Sequence, residues 1–452
     1  MILRYLCVLV VFVLLPGCSG IGDKVTSYVG GEDNAEPPSP LVNIDTRVEI
    51  TKLWEKDMGG GSDEQYLKLV PVFAEDKIYV ADNEGELKAV NSRNGSVIWD
   101  QDTETRITGG PGAGDSLVMI GTSEGEILAF SGDTGKSLWR SRVSSEVLAA
   151  PQVADNIVVG RTIDGKIYGL DAAEGKRLWT YDQTVPALTL RGTSAPVIAG
   201  EFVISGFDEG RLTAIELRTG KLVWETRIAL GSGRSELERM VDIDSEPLVM
   251  NDIIYVATFQ GRIAAVTLDG GRILWTRDIS SFAGICADKN NIYITDDNSH
   301  IWALDRYTGN SIWKQEKLQA RAVTAPASLG DLVVVGDVEG YLHWMDKTTG
   351  EFVSRTQVSD TRIIAPPISV NDVVYTYASD GTLGAYTYIN DAADIEIDTP
   401  SIEDEQKTED AAQQDLDEKN DNVKDESGPL ERLLDFFTSD EDENKKEKEQ
   451  LK

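Results

Sequence analysis

The chain has 452 residues, 41% hydrophobic, 27% charged and 7% aromatic, with a formal charge of −34. That acidity excludes a binder of nucleic-acid backbone, which must neutralise phosphates with clustered Lys and Arg. Of two histidines and three cysteines, only the histidines and Cys286 stay available in the mature chain read below, too few for a zinc site or a disulfide framework.

The amino terminus has the layout of a secretory signal. Arg4 supplies a short basic start, and Tyr5 to Leu15 is an apolar run too short to span a bilayer as a mature helix. The run ends in Leu15-Pro16-Gly17-Cys18, which resembles the bacterial lipobox, although Pro16 is unusual there. The resemblance makes residues 1–17 the signal and Cys18 the lipidated first residue of the mature chain, and Ser19, where inner-membrane lipoproteins commonly have Asp, points to the outer membrane. The competing reading is an ordinary cleaved signal with an incidental cysteine. Residues 18–47 are rich in Gly, Pro, Ser and acids and read as a tether. One acyl chain binds membranes only marginally, so firm attachment implies several on Cys18. With Cys7 removed and Cys18 acylated, Cys286 is left alone in the apolar stretch FAGICAD, where it reads as a small core residue.

The folded region opens with a strand, Glu49–Lys56, that carries Trp54 but has no hairpin of its own. A glycine followed four residues later by a tryptophan then recurs as Gly95/Trp99, Gly135/Trp139, Gly175/Trp179, Gly220/Trp224, Gly271/Trp275 and Gly309/Trp313. The tryptophans are spaced by 40, 40, 45, 51 and 38 residues, a period that belongs to repeated supersecondary units. Upstream of each pair are β-branched runs with apolar/polar alternation, closed by short Gly, Asp and Asn turns, so each unit holds two hairpins. Four short antiparallel strands per unit make a β-propeller blade, with the tryptophan on the outer strand wedged against the neighbouring blade.

Two inserts lengthen the 45- and 51-residue spacings. The first, VPALTLRGTSAP, offers Leu188, Leu190 and Arg191; the second, GSGRSELERMVDIDSEP, offers Asp242 and Asp244. Being consecutive in the ring, they fall side by side on one face. Apolar anchors beside an arginine and two carboxylates suit protein docking. Equally, Leu188 and Leu190 suit an inner strand, with Arg191 paired to Asp242 or Asp244 inside the molecule.

Further along, His300 and His343 each precede or flank a tryptophan and read as equivalent strand positions of two blades rather than as a metal pair. The turn Asp296-Asp297-Asn298 lacks the spaced ligands of a calcium loop. In the seventh unit Gly350 is followed by Ser354 in place of tryptophan. The last segment, Ile363 to Tyr388, supplies only three strands, so the strand at Trp54 is expected to complete it and close an eight-bladed ring over residues 48–389. The alternatives are seven blades with one irregular unit, or a solenoid that leaves the Trp54 strand unexplained.

Residues 390–452 form an acidic tail. From 391 on it has 23 acidic and 8 basic side chains, a net −15 that leaves −19 for the rest of the chain. It reads as disordered, with a short amphipathic segment at 429–438 that suits either a docking peptide or a transient helix.

The repeats resemble those of quinoprotein alcohol dehydrogenases, whose eight-bladed propellers carry the same TGKxxW-type motif. The whole assembly, from lipobox and Trp54 strand to both inserts, is similar to a narrower family: the BamB propeller lipoproteins of the bacterial outer-membrane β-barrel assembly machinery. The segments LTLRGTSAP and SELERMVDIDSEP carry that narrower likeness. It implies a scaffold, with no catalytic, cofactor or metal residues, whose Leu188, Leu190, Arg191, Asp242 and Asp244 form the surface for BamA, the machinery's barrel-bearing component. Extended unfolded outer-membrane proteins are a weaker implied partner, through exposed strand edges. The acidic tail and Ser354 depart from the family pattern.

Two rivals remain. A quinone-dependent dehydrogenase needs a calcium–quinone pocket on the axis, and such enzymes usually have longer insertions and often adjacent cysteines, which are missing here. A propeller lipoprotein for another envelope protein or a polysaccharide is the other; a sugar-binding face has only Trp302 and Trp344 to draw on.

Overall fold

A computed structural model describes residues 36–62, 67–186, 194–231, 233–235 and 237–388. The signal, Cys18 and the acidic tail lie outside the described residues.

Eight four-stranded antiparallel sheets follow one another along the chain. They span 72–102, 107–142, 152–182, 197–227, 248–277, 284–315 and 327–357 for blades 1 to 7. Blade 8 takes three strands from 368–388 and its outer strand from Ile50–Asp57, which pairs antiparallel with Thr382–Tyr388. The ring is thus an eight-bladed propeller closed by the strand of Trp54, and apolar side chains of blades 8 and 1 share one core cluster. Innermost strands are short, three residues in most blades, and line an axial channel of about 580 Å³. The middle strands of each blade are almost wholly buried. Several first hairpins turn through two residues at positive φ, such as Asp155-Asn156 and Asn371-Asp372, the geometry that matches strand twist and that Asn and Asp tolerate.

The glycine–tryptophan repeat works between blades, not within them. Gly175, at φ +67°, lies under the ring of Trp139 from the preceding blade, and Gly95 lies in the same way under Trp54. Each indole Nε1 also donates to a backbone carbonyl of the next blade: Trp54 to Ser92, Trp139 to Ala172 and Trp313 to Lys347, at 2.7–3.0 Å. Within its own blade each tryptophan faces a small residue across the strand pair, as in Ala89–Trp99, Gly169–Trp179 and Ala303–Trp313.

This geometry explains Ser354. A tryptophan there would need a glycine turn between the third and outer strands of blade 8, but those two strands are the chain's two ends and no turn joins them. The large–small pair is instead reversed: Trp344 faces Ser354 and is fully buried. The seam is packed by a different device, with Tyr386 and Val374 of blade 8 in the cluster around Trp344.

Candidate functional site

The connections from an outer strand to the next inner strand all lie on one face, together with the turns between second and third strands. Both inserts are such connections, at 183–196 and 228–247, and they are neighbours as the spacing implied. Ser194 Oγ donates to the carbonyl of Ser245 at 3.0 Å. Leu188, Leu190 and Arg191 lie outside the described residues.

The second insert has two halves. In the outer half, Ser235 Oγ accepts from the Glu238 amide, and Glu238 Oε2 accepts from the amides of Arg234 and Ser235. This reciprocal box closes a tight knob, with the amides of Arg234, Ser235 and Glu238 each given an acceptor. Leu237 is 60% exposed on the knob and Leu230, just before it, 71%. In the inner half, Met240, Val241 and Ile243 are buried, and Ile243 joins the core between blades 4 and 5.

Asp242 and Asp244 belong to this inner half and are only 2% and 8% exposed. They are not an outward carboxylate pair. Asp242 Oδ1 accepts from the Glu209 amide, and its carbonyl from the Phe259 amide. Burial, reinforced by Asp242, pushes the Asp244 carboxyl up to about 6 against the pull of Lys68 and Arg161. Arg161 is itself buried; its Nη1 donates to Ser194 O at 3.1 Å and its guanidinium lies 4.9 Å from the Phe207 ring centre. Burial lowers its pKa while Asp208, Asp244 and Asp242 resist the loss of charge. Arg161 thus joins blade 3 to the first insert within a buried charge cluster that also holds the second.

Towards the axis, Lys68 donates to Phe282 O at 2.9 Å, and burial lowers its pKa. Glu246 stands on the channel wall, reached by water yet enclosed by protein around it, and this enclosure pushes its carboxyl up to about 7. Cys286 is half-buried on the innermost strand of blade 6 and also borders the channel, rather than sitting deep in the core. The surrounding protein pushes its thiol up to about 12, which favours the protonated form.

Other candidates from the sequence resolve into structural roles. His300 precedes its strand and His343 lies within one, so they are not equivalent. His300 Nδ1 pairs with Asp296 at 3.0 Å, and Asp296 also takes the amides of Asn298 and His300 as an ordinary Asx turn. His343 is fully buried between Asp337 and Arg355, out of reach of any substrate. Trp302 donates to Asp296 beneath Lys314, and Trp344 is core, so neither is a platform for sugars. Among the described residues no three His, Cys, Asp or Glu side chains are grouped to hold a metal ion.

Sequence reading missed Leu230 and Leu237: Leu237 is a lone apolar residue in a polar stretch, and Leu230 ends the apolar run Ile228-Ala229-Leu230, where nothing marks it as exposed. It also missed Arg161 and Lys68, because nothing local marks a cation that answers carboxylates dozens of residues away in sequence.

The family model described as outer membrane protein assembly factor BamB matches residues 83–315. The assembly factor BamB of Legionella pneumophila is 46% identical over 337 residues, covering 74% of this chain and 87% of that protein. The crystal structure of BamB from Moraxella catarrhalis superposes with a TM-score of 0.68 at 27% identity, covering 75% of this chain and all of that one. A quinohemoprotein alcohol dehydrogenase from Comamonas testosteroni, at 14% identity and TM-score 0.59, shares the propeller fold alone.

Proposed function

The chain belongs to the BamB family of outer-membrane protein assembly factors, and from that premise we propose that it is a scaffold whose insert face binds the periplasmic domains of BamA. Its work lies in outer-membrane protein assembly, with assembly factors rather than dehydrogenases as its relatives. The observation that carries the docking reading is the joined pair of inserts, tied through Ser194 and Ser245, with Leu230 and Leu237 projecting beside them.

In this reading Leu188, Leu190 and Arg191 meet the partner, while Asp242 and Asp244, being buried, hold the inserts in place. Replacing either carboxylate then weakens docking indirectly. The chain is anchored through lipidated Cys18 in the outer membrane and faces the periplasm. Unfolded outer-membrane proteins are a secondary partner.

The test is a pull-down of the chain from Ser19 onward against the periplasmic domains of the same organism's BamA. Leu188→Ala/Leu190→Ala and Arg191→Ala run beside the parent, with circular dichroism confirming that each is folded. Loss of binding in folded variants supports both partner and patch. Failure of the folded parent to bind refutes the BamA reading and favours another envelope protein. Binding unchanged in every variant returns Leu188 and Leu190 to an inner-strand role.

A further inference from the structure

Residues 36–47, expected to be part of the tether, lie with Val48 against the ring. Leu41, Val42, Ile44 and Val48 are half-buried, while Asn43, Asp45, Thr46 and Arg47 are exposed, with alternation over 42–45 as in an extended segment on a surface. Val42 and Ile44 pack on the cluster that contains Trp313, Leu318, Val323 and Phe352, at the seam of blades 6 and 7. Val48 packs on the next cluster, which includes Val353.

Polar contacts pin both ends. The Arg47 amide donates to Val353 O at 2.9 Å, and its guanidinium pairs with Glu351 at 2.6 Å. At the other end the Ser39 amide donates to Gln319 O at 3.1 Å, and Gln319 Nε2 donates to Glu36 at 2.8 Å. Ser39 sits in Pro37-Pro38-Ser39-Pro40, whose prolines stiffen an extended backbone.

Arg321 is 1% exposed. Its Nε donates to Asp337 at 2.8 Å and its Nη2 pairs with Asp337 and Glu339. Its Nη1 donates to the Ser39 carbonyl at 2.9 Å. A buried guanidinium has five donors to satisfy, and the segment's own carbonyl answers one of them.

We propose that the blade 6–7 seam is a binding site for an extended peptide, occupied by residues 36–48 of the same chain as a latched strap. Val353 is the second residue of the outer strand of blade 7, Phe352–Gln357, next to the glycine turns. Gln319 and Arg321 belong to the connection between blades 6 and 7, on the insert face. The strap therefore crosses the rim and delivers the amino-terminal segment to the face that bears the inserts.

The consequence is reach. Counted from Cys18, a free tether up to the first propeller strand at Ile50 has 32 residues, and a strapped one up to Glu36 has 18. Fully extended these span at most about 110 Å and about 60 Å. Docking the strap nearly halves the distance the ring can move from its anchor and raises its effective concentration there about twofold. This consequence rests on the anchor reading; the strap itself does not.

The test is hydrogen exchange on the full chain, read at the amides of Ser39 and Arg47. Both are expected to be protected in the parent. Val42→Ser/Ile44→Ser and Arg321→Met are each expected to lower that protection on the order of tenfold or more, while the amide of Val158, in blade 3 away from the strap, keeps its own. Unstructured exchange rates at Ser39 and Arg47 in the parent overturn the proposal. So does protection that persists in both variants. If Arg321→Met unfolds the ring, the apolar variant decides alone. The readout needs neither lipid nor partner, so its failure is separate from failure of the docking reading.

Discussion

Replacing Gly175 with alanine tests the account of how the blades are held together. At φ +67° a side-chain-bearing residue costs about 1–2 kcal/mol in backbone strain. The added Cβ would lie 2.6 Å from Trp139 Cε3 and 2.7 Å from Cδ2, inside ordinary contact distance. Neither side yields easily, since the indole is held by its 2.8 Å bond to Ala172 O. Overpacking of this kind adds about 1–3 kcal/mol, so Gly175→Ala should lose roughly 2–5 kcal/mol in total. Gly200→Ala is the internal control: its φ is +57°, but a Cβ there meets nothing within 4 Å. It should lose only the backbone cost, about 1–2 kcal/mol. Urea unfolding followed by tryptophan fluorescence measures both, with the slope checked for constancy. In a Trp139→Ala background the cost of Gly175→Ala should fall to that of the control, a coupling that a double-mutant cycle isolates. Equal losses for the two single variants, or additivity in the cycle, would refute the idea that these glycines are seats for the preceding blade's tryptophan.

Ser354→Trp restores the repeat motif in blade 7 but should destabilise by about 1–3 kcal/mol, because the new indole meets buried Trp344 across the strand pair; a rise in the urea midpoint would contradict the reversed-pair explanation. Glu246→Gln addresses pH. The folded carboxyl is raised from 4.5 to about 7, so its contribution is fully present below about pH 4.5 and is lost as pH rises through 7. Relative to the glutamine variant the parent should therefore lose stability between pH 5 and 8, and parallel urea midpoints across that range would show that the channel wall does not enclose the group.

The repeat made the ring legible. Each blade needs the same alternation, the same glycine turn and the same large outer residue, so spacing alone counts the outer strands and assigns Trp54 to the last blade. What spacing could not give was the partner of each glycine. Gly175 and Trp179 are neighbours in sequence, whereas the packing pair is Gly175 and Trp139, because contact is made across a seam that no local pattern records. Ser354 looked like a defect for the same reason; its compensation sits on another strand, as Trp344. At the site, the inserts were visible because they break the period, but the burial of Asp242 and Asp244 was not. Two carboxylates in a polar insert suited a docking surface, and the insert instead runs inward, where both they and Val241 and Ile243 are covered. The strap was hidden by composition: prolines and acids read as linker, and the three apolar residues that dock it are too sparse to announce a strand.

These observations divide the ring by face. The turns between third and outer strands, with their glycine seats and indole bonds, all lie on one side. The inserts, the knob with Leu237, the Arg321 latch and Lys68 lie on the other. Because the glycine–tryptophan joints are made at one face, the connections at the other can lengthen without opening those joints. The two long spacings show this: the inserts precede blades 4 and 5, yet Trp179 Nε1 still bonds Leu217 O at 2.8 Å and Trp224 Nε1 still bonds Leu268 O at 2.9 Å. A scaffold gains from this arrangement, since a docking surface must be held rigidly to hold a partner in register, and the rigidity here is supplied by residues that the partner need never touch. Substitutions at the seams should then lower stability while leaving the affinity of the folded fraction for its partner unchanged. Substitutions at the exposed Leu230 and Leu237 of the insert face should instead lower affinity while leaving stability unchanged.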